Sequence, residues 1–167
     1  LLQGTPAAYI GSHPIAGSEQ QGLESARSEL YEAAVVVVTP GREKSDWITE
    51  GVSRFWQSVG AVVRVMSPQE HDRIMARTSH LPHVVSALLA QVVGREPDAG
   101  RVAEFCGTGF RDTSRIAEGS PAVWHDIIQS NRHAIEAELR EYRLELDRVI
   151  EMVSKSESRA VHDFLDE

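Results

Sequence analysis

The chain is poor in several things that usually announce a function. It has a single cysteine, Cys106, in 167 residues, which excludes an internal disulfide framework and any cysteine-based zinc finger. It has no excess of positive charge: Lys plus Arg is 17, Asp plus Glu is 25, and the formal net charge is −8. A general nucleic-acid binder needs a basic footprint to displace counterions from phosphates, so that class is set aside. No apolar run approaches the roughly 20 residues needed to cross a bilayer, which argues against a membrane protein. The opening LLQGTPAAYIG lacks the charged start and long apolar core of a signal peptide, and a reducing, cytoplasmic setting is the expectation. There is no strand–GxGxxG–helix fingerprint and no GxxxxGK[ST] loop. The nearest approach, Gly107-x-Gly109, has Asp112 where a third glycine belongs and follows no β-run. What remains is an ordinary globular composition, 41% hydrophobic and 25% charged, long enough to bury a core.

The first 66 residues and the remainder differ in pattern. Ala8-Tyr9-Ile10, the four valines 35–38 and Ala61-Val62-Val63-Arg64-Val65 are short β-type runs, of the kind that suits strands buried on both faces. Between them, Leu23, Ala26, Leu30 and Ala33 recur at helical spacing. So do Ile48, Val52, Phe55, Trp56 and Val59. This is a β-α-β-α-β alternation, the signature of an α/β layer. After Met66 the strands stop. Ser67-Pro68-Gln69-Glu70 combines an N-cap serine, a proline at the first helical position and a capping-box glutamate. Helix is predicted from 67 to about 93, with a boundary or kink at Pro82. A linker is expected over 94–100, a short helical turn at Asp112–Ala117, and a new helix from Ser120-Pro121. In the last long helix Ile135, Leu139, Tyr142, Leu146, Val149 and Val153 form a heptad-like seam, read either as a core-facing stripe or as a dimer contact. The charged tail reads as a frayed final helix. The expected fold class is therefore mixed and mostly α: about three strands of an α/β domain, then a helical domain, with the boundary at 66/67.

Three clusters could carry chemistry. His13 lies in Gly11-Ser12-His13-Pro14-Ile15-Ala16-Gly17, just past the expected end of the first strand, where α/β folds build ligand crevices. A neutral imidazole there could act as a general base or merely cap a turn. His80 and His83, three residues apart, share a helix face. They could be a polar face, the wall of a substrate pocket, or, with His71, a metal site, although no further ligand motif supports the last. Arg111 and Arg115, four apart, could grip a carboxylate or pair with Asp112 and Glu118.

Taken in order, GSHPIAGSE, SPQEHDR, TSHLPH and GTGFRDTSRIA followed by SPAVW resemble the prephenate dehydrogenase family, which includes arogenate and cyclohexadienyl dehydrogenases of tyrosine biosynthesis. The resemblance runs from about Tyr9 to about Arg132. It implies an NAD- or NADP-dependent oxidative decarboxylation of prephenate to 4-hydroxyphenylpyruvate by a homodimer. It implies that His13 takes the proton of the ring hydroxyl, that Arg115 holds a substrate carboxylate with Arg111 nearby, and that His83 and His80 line the substrate site. It further implies that Ser18 and Glu19 shape and gate the pocket and that Trp124 closes it. Thr108 departs from the glycine that the family often carries there.

The resemblance also implies that residues 1–66 correspond to the last strands and helices of a Rossmann domain and 67–167 to a helical domain for substrate binding and dimerisation. The cofactor fingerprint would then lie outside this sequence and the chain alone would be inactive. A strand around Tyr9-Ile10 would be left with an edge that a partner chain is expected to cover. An alternative stands beside the enzyme: a non-catalytic dimerisation module that binds prephenate, or tyrosine as a feedback ligand. Prephenate and arogenate both remain open as substrates, since they differ only at the side chain bearing a keto or an amino group. NAD and NADP remain open as well, because the residue that separates them follows the glycine motif.

Overall fold

The computed structural model describes residues 9–17, 26–41, 46–95 and 99–166. The chain divides into two compact units, residues 1–72 and 73–167.

The first unit is built on a three-stranded sheet in the order β1-β2-β3, with β1 at Ile10–Ile15, β2 at Val35–Pro40 and β3 at Val62–Val65. β2 is the centre. Three successive valines, Val36, Val37 and Val38, are buried on both faces, as a continuous β-branched run in a central strand should be. Val36 and Val38 pack with Ala61, Ile10, Val52, Trp56 and Val63. Val52 and Trp56 belong to helix α1, Asp46–Ser58, so that face of β2 is the one α1 covers.

The expectation for this unit is corrected in three places. The first strand lies further along than Ala8–Ile10 and contains His13, which therefore sits inside a strand and not beyond its end. Pro14 is tolerated because β1 is an edge strand among the described residues, where a missing N–H costs no ladder bond. β1 also runs antiparallel to β2, and only β2 and β3 are parallel. Second, the helix expected through Leu23 and Ala33 is not formed over residues 26–34, which run in turns; Leu23 itself lies outside the described residues. Ala33 has a φ of 57° and its N–H donates to the Gly60 carbonyl at 2.8 Å. That bond to the turn before β3 draws the segment out of helical geometry. Third, β3, the opposite edge among the described residues, is not buried on both faces: Val62 and Val65 are exposed.

Helix α2, Pro68–Met75, starts where the capping signal placed it, with the Glu70 N–H donating to Ser67 Oγ at 3.2 Å. The helix then widens into a π turn at Ala76–His80 before continuing as α3, Leu81–Gly94. The proline explains the widening. Pro82 has no N–H to give the Thr78 carbonyl and its ring crowds that oxygen. The backbone answers with a wider turn, in which the Leu81 N–H reaches back five residues to the Ala76 carbonyl. Thr78 Oγ1 donates to the Ile74 carbonyl at 2.8 Å.

The second unit is all helical. α4 (Ala99–Glu104) occupies part of the expected linker. α5 (Thr108–Ser114) leads into a 3₁₀ turn at Arg115–Glu118, then α6 (Pro121–Ser130), α7 (Arg132–Ser154) and α8 (Ser158–Asp166). α7 packs against the π turn, α3, α6 and α8. Arg77 of the π turn donates through Nε to Glu138 Oε2 of α7 at 2.7 Å, and Glu138 is itself buried. The α7 seam splits. Ile135 is fully buried and Leu139 half-buried, whereas Tyr142, Leu146 and Val153 are exposed. Among the described residues no helix is long and apolar enough to cross a membrane.

Candidate active site

In the first unit the register of β1 on β2 decides where His13 points. His13 pairs opposite Val37, and directly opposed residues share a face. Side chains alternate along β2, so Val37 and His13 face away from the side that α1 covers. There His13 meets His71 of α2. Its Nδ1 lies 2.8 Å from Nε2 of His71, with the rings edge to face at 5.1 Å. Nδ1 of His71 lies 2.9 Å from Oδ1 of Asp72. Burial, and then the neighbouring His71, lower the His13 pKa from its ordinary value of 6.5, so the ring is neutral near pH 7. The sequence places His71 and Asp72 in the SPQEHDR motif and offers His71 as a metal candidate, but gives neither a role beside His13. The readable signal was a His-Asp pair one turn into a strongly capped helix. Among the described residues no group of three metal-ligating side chains is assembled.

The same unit has a crevice of about 570 Å³ lined by Pro40, Gly41, Val65, Met66, Ser67, Pro68 and Gln69. It opens at the carboxyl ends of the parallel pair β2 and β3, the position at which α/β sheets take ligands. Its wall is mostly apolar. Gly41 is required there, since a Cβ would stand 2.8 Å from the Tyr9 carbonyl oxygen.

In the second unit the two histidines flanking Pro82 converge on one tryptophan. His83 is 7% exposed and stacks on Trp124 of α6, with centroids 3.4 Å apart and planes within 8°. His80 meets the same indole edge to face at 6.1 Å, and the Asn131 amide lies 3.3 Å from its Nδ1. Burial lowers the His83 pKa from 6.5. Gly119 makes the stack possible. A Cβ there would lie 2.5 Å from Trp124 Nε1 and 3.0 Å from His83 Cε1. Its φ of −59° and ψ of 151° suit any residue, so the glycine is needed for space and not for conformation. Fully buried Ser86 donates to the Thr113 carbonyl at 2.8 Å, fixing α5 against α3. Arg111, on α5, and Arg115, which opens the 3₁₀ turn, are both exposed. Thr108 is the first residue of α5, capped by Gly107. Ser18 and Glu19 lie outside the described residues. Gly119, Asn131 and Ser86 carried no sequence signal of their own.

Known proteins match along the whole of this arrangement. Residues 67–167 match the family described as "Prephenate dehydrogenase, dimerization domain", and residues 2–65 that described as "Prephenate dehydrogenase, nucleotide-binding domain". A prephenate dehydrogenase of Bacillus subtilis is 34% identical over 90% of the chain and 41% of its own length. A prephenate dehydrogenase from A. aeolicus, solved with hydroxyphenyl propionate and NAD+, superposes with a TM-score of 0.87 at 32% identity, over 95% of this chain and 56% of that one. The Synechocystis arogenate dehydrogenase gives 0.86 at 30%, over 96% and 59%. The architecture is thus a Rossmann-type α/β portion joined to an all-helical dimerisation domain. The chain belongs to the prephenate dehydrogenase family, and it spans about two-fifths of the Bacillus relative's length.

Two outcomes test this geometry. Gly119→Ala should lower stability by about 1–3 kcal/mol, the usual cost of overpacking. Near-UV dichroism from Trp124 should fall with it, and an unchanged denaturation midpoint would show that the ring stack yields freely. Protonation gives the second. Above 6.5 the His83 ring is neutral in both folded and unfolded chains, so it adds no pH dependence. Below 6.5 the unfolded chain takes up a proton that the buried ring resists, and stability falls until the lowered folded value is passed. The melting temperature should therefore decline as pH drops from 6.5, and His83→Phe should flatten that slope.

Proposed function

We propose that this chain is the substrate-side part of an NAD- or NADP-dependent prephenate dehydrogenase, oxidising and decarboxylating prephenate to 4-hydroxyphenylpyruvate. The observation that carries this reading is His13, an imidazole held neutral by burial and by His71. Such a ring can hydrogen-bond the substrate's ring hydroxyl and accept its proton as hydride leaves the same carbon. General-base help of this kind is typically worth roughly 10²–10⁴ in rate. Arg115 would hold a substrate carboxylate, with Arg111 adding positive charge. A charge-assisted bond of that type contributes about 1.5–3 kcal/mol. His83, His80 and Trp124 would form an aromatic, hydrogen-bonding wall, and Ser18 and Glu19 would gate the pocket.

Bound NAD or NADP would supply the hydride acceptor. Pro40, Gly41, Val65 and Met66 line a crevice apolar enough for the ring end of such a cofactor. The chain has no glycine-rich phosphate loop, and the isolated chain is expected to be inactive. The functional boundary would fall at 66/67, and the setting would be cytoplasmic. The likeness to an arogenate dehydrogenase supports arogenate as the second substrate reading. A non-catalytic module binding prephenate or tyrosine is the remaining alternative. Calorimetry of the chain with each ligand, with and without NAD, separates it from the enzyme.

In the complete enzyme His13→Asn should cut kcat at least a hundredfold, in the general-base range. Arg115→Gln should raise KM or lower kcat/KM. Normal kinetics in both variants would overturn the assignment. The exposed stripe Tyr142, Leu146, Ile150 and Val153 on α7 would form a homodimer contact, and the edge of β1 left unpaired among the described residues would be a separate surface for a partner chain to cover. Light scattering at micromolar concentration should give a dimer, and Leu146→Glu should shift it toward monomer. A clean monomer for the unaltered chain would defeat this part.

A further inference from the structure

The pairing of His13 with a second histidine raises a question that a lone general base does not. A neutral imidazole carries its proton on one nitrogen only, and the other nitrogen alone can accept a proton. When both rings are neutral, their 2.8 Å contact places one N–H between them, so the donor and the acceptor have to be assigned. Asp72 settles the assignment. A carboxylate only accepts, so its 2.9 Å contact with Nδ1 of His71 requires the proton there. The Nε2 of a neutral His71 is then an acceptor. The bond between the rings therefore runs from the Nδ1–H of His13 to Nε2 of His71. His13 is left with its lone pair on Nε2, the nitrogen at the far end of the ring from β1.

We propose that the Asp72–His71 pair is a positioning device that fixes His13 in the Nδ1–H tautomer, with Nε2 as the nitrogen that accepts the substrate's proton. The inference rests on the reading of His13 as the base and deepens it. A histidine in solution interconverts between two tautomers. Locking the ring in one removes the fraction of molecules whose accepting nitrogen faces the protein. The edge-to-face contact of the two rings holds the orientation as well as the proton. His71 is suited to the task. Its side chain is 20% exposed, so it is shielded from competing water, while Asp72 is open to solvent. The same device, a carboxylate orienting an imidazole, recurs where histidine must present one chosen nitrogen. Here the carboxylate acts through a second imidazole.

Nitrogen-resolved NMR of the histidine rings tests this on the chain as it stands. At neutral pH His13 should show a protonated Nδ1 and an unprotonated Nε2. His71→Phe keeps a ring but removes the acceptor, and the Nδ1–H form of His13 should be lost as the predominant species. His71→Gln puts an amide oxygen where Nε2 stood and should restore it. In the complete enzyme, His71→Phe should lower kcat by roughly 10–100-fold, the scale measured for hydrogen-bond partners that orient metal-bound histidines, with KM little changed. His71→Gln should recover most of that loss. A wild-type His13 protonated on Nε2, or a tautomer unmoved by His71→Phe, would overturn the proposal and leave the base assignment intact. A tautomer that follows His71 while His13→Asn retains turnover would instead overturn the base assignment, with the hydrogen-bond chain standing.

Discussion

The central position of β2 is the constraint on which the first unit depends. Three adjacent valines point to alternate faces, so their burial requires both edges of the strand to be paired and both faces to be covered. β1 and β3 take the edges and α1 one face. That arrangement fixes the register of β1, and register fixes faces. A slip of one residue would turn His13 toward α1 and bring Pro14 to the other side. The chemistry proposed for His13 is therefore held in place by apolar packing that never touches it, and the histidine contributes little to that packing itself.

The second unit depends on an analogous constraint with a different origin. Pro82 cannot complete an α-helical turn, and the π turn before it is the local resolution. The proline stands between His80 and His83, and both rings reach the same indole. The closeness of that cluster leaves no room for a side chain at position 119. Burial of His83 and of Glu138 then places polar groups where they must be satisfied by stacking or pairing. Both units thus pair a rigid apolar frame with histidines kept neutral by burial, which suits proton transfer and hydrogen bonding better than charge pairing.

Much of this was legible along the chain. The valine run, the serine–proline helix starts and the change of pattern near Met66 all depend on local chemistry, and each element they mark is present. The turns over 26–34 escaped because a long-range bond, Ala33 to Gly60, overrides a helical spacing. The position of β1 escaped because Gly-Ser-His-Pro carries almost no β-propensity. It is a strand only because β2 offers it an edge. The seam on α7 could be recognised as apolar, but its division into buried and exposed halves depends on where neighbouring helices end.

By itself the sequence determined the element types, the family motifs and the residue chemistry: a histidine before a proline, two histidines about another, and arginines one helical turn apart. Those are properties of short segments, set by backbone sterics and side-chain pKa. Only the tertiary structure decided which groups meet. His13 and His71 are 58 positions apart, and no periodicity connects them. Strand register on one side and helix placement on the other bring them to 2.8 Å. The need for Gly119 is likewise invisible until His83 and Trp124 close around it. Local rules specify what a residue can do, whereas packing specifies which partner it does it with, because partners distant in sequence are chosen by the burial of other residues.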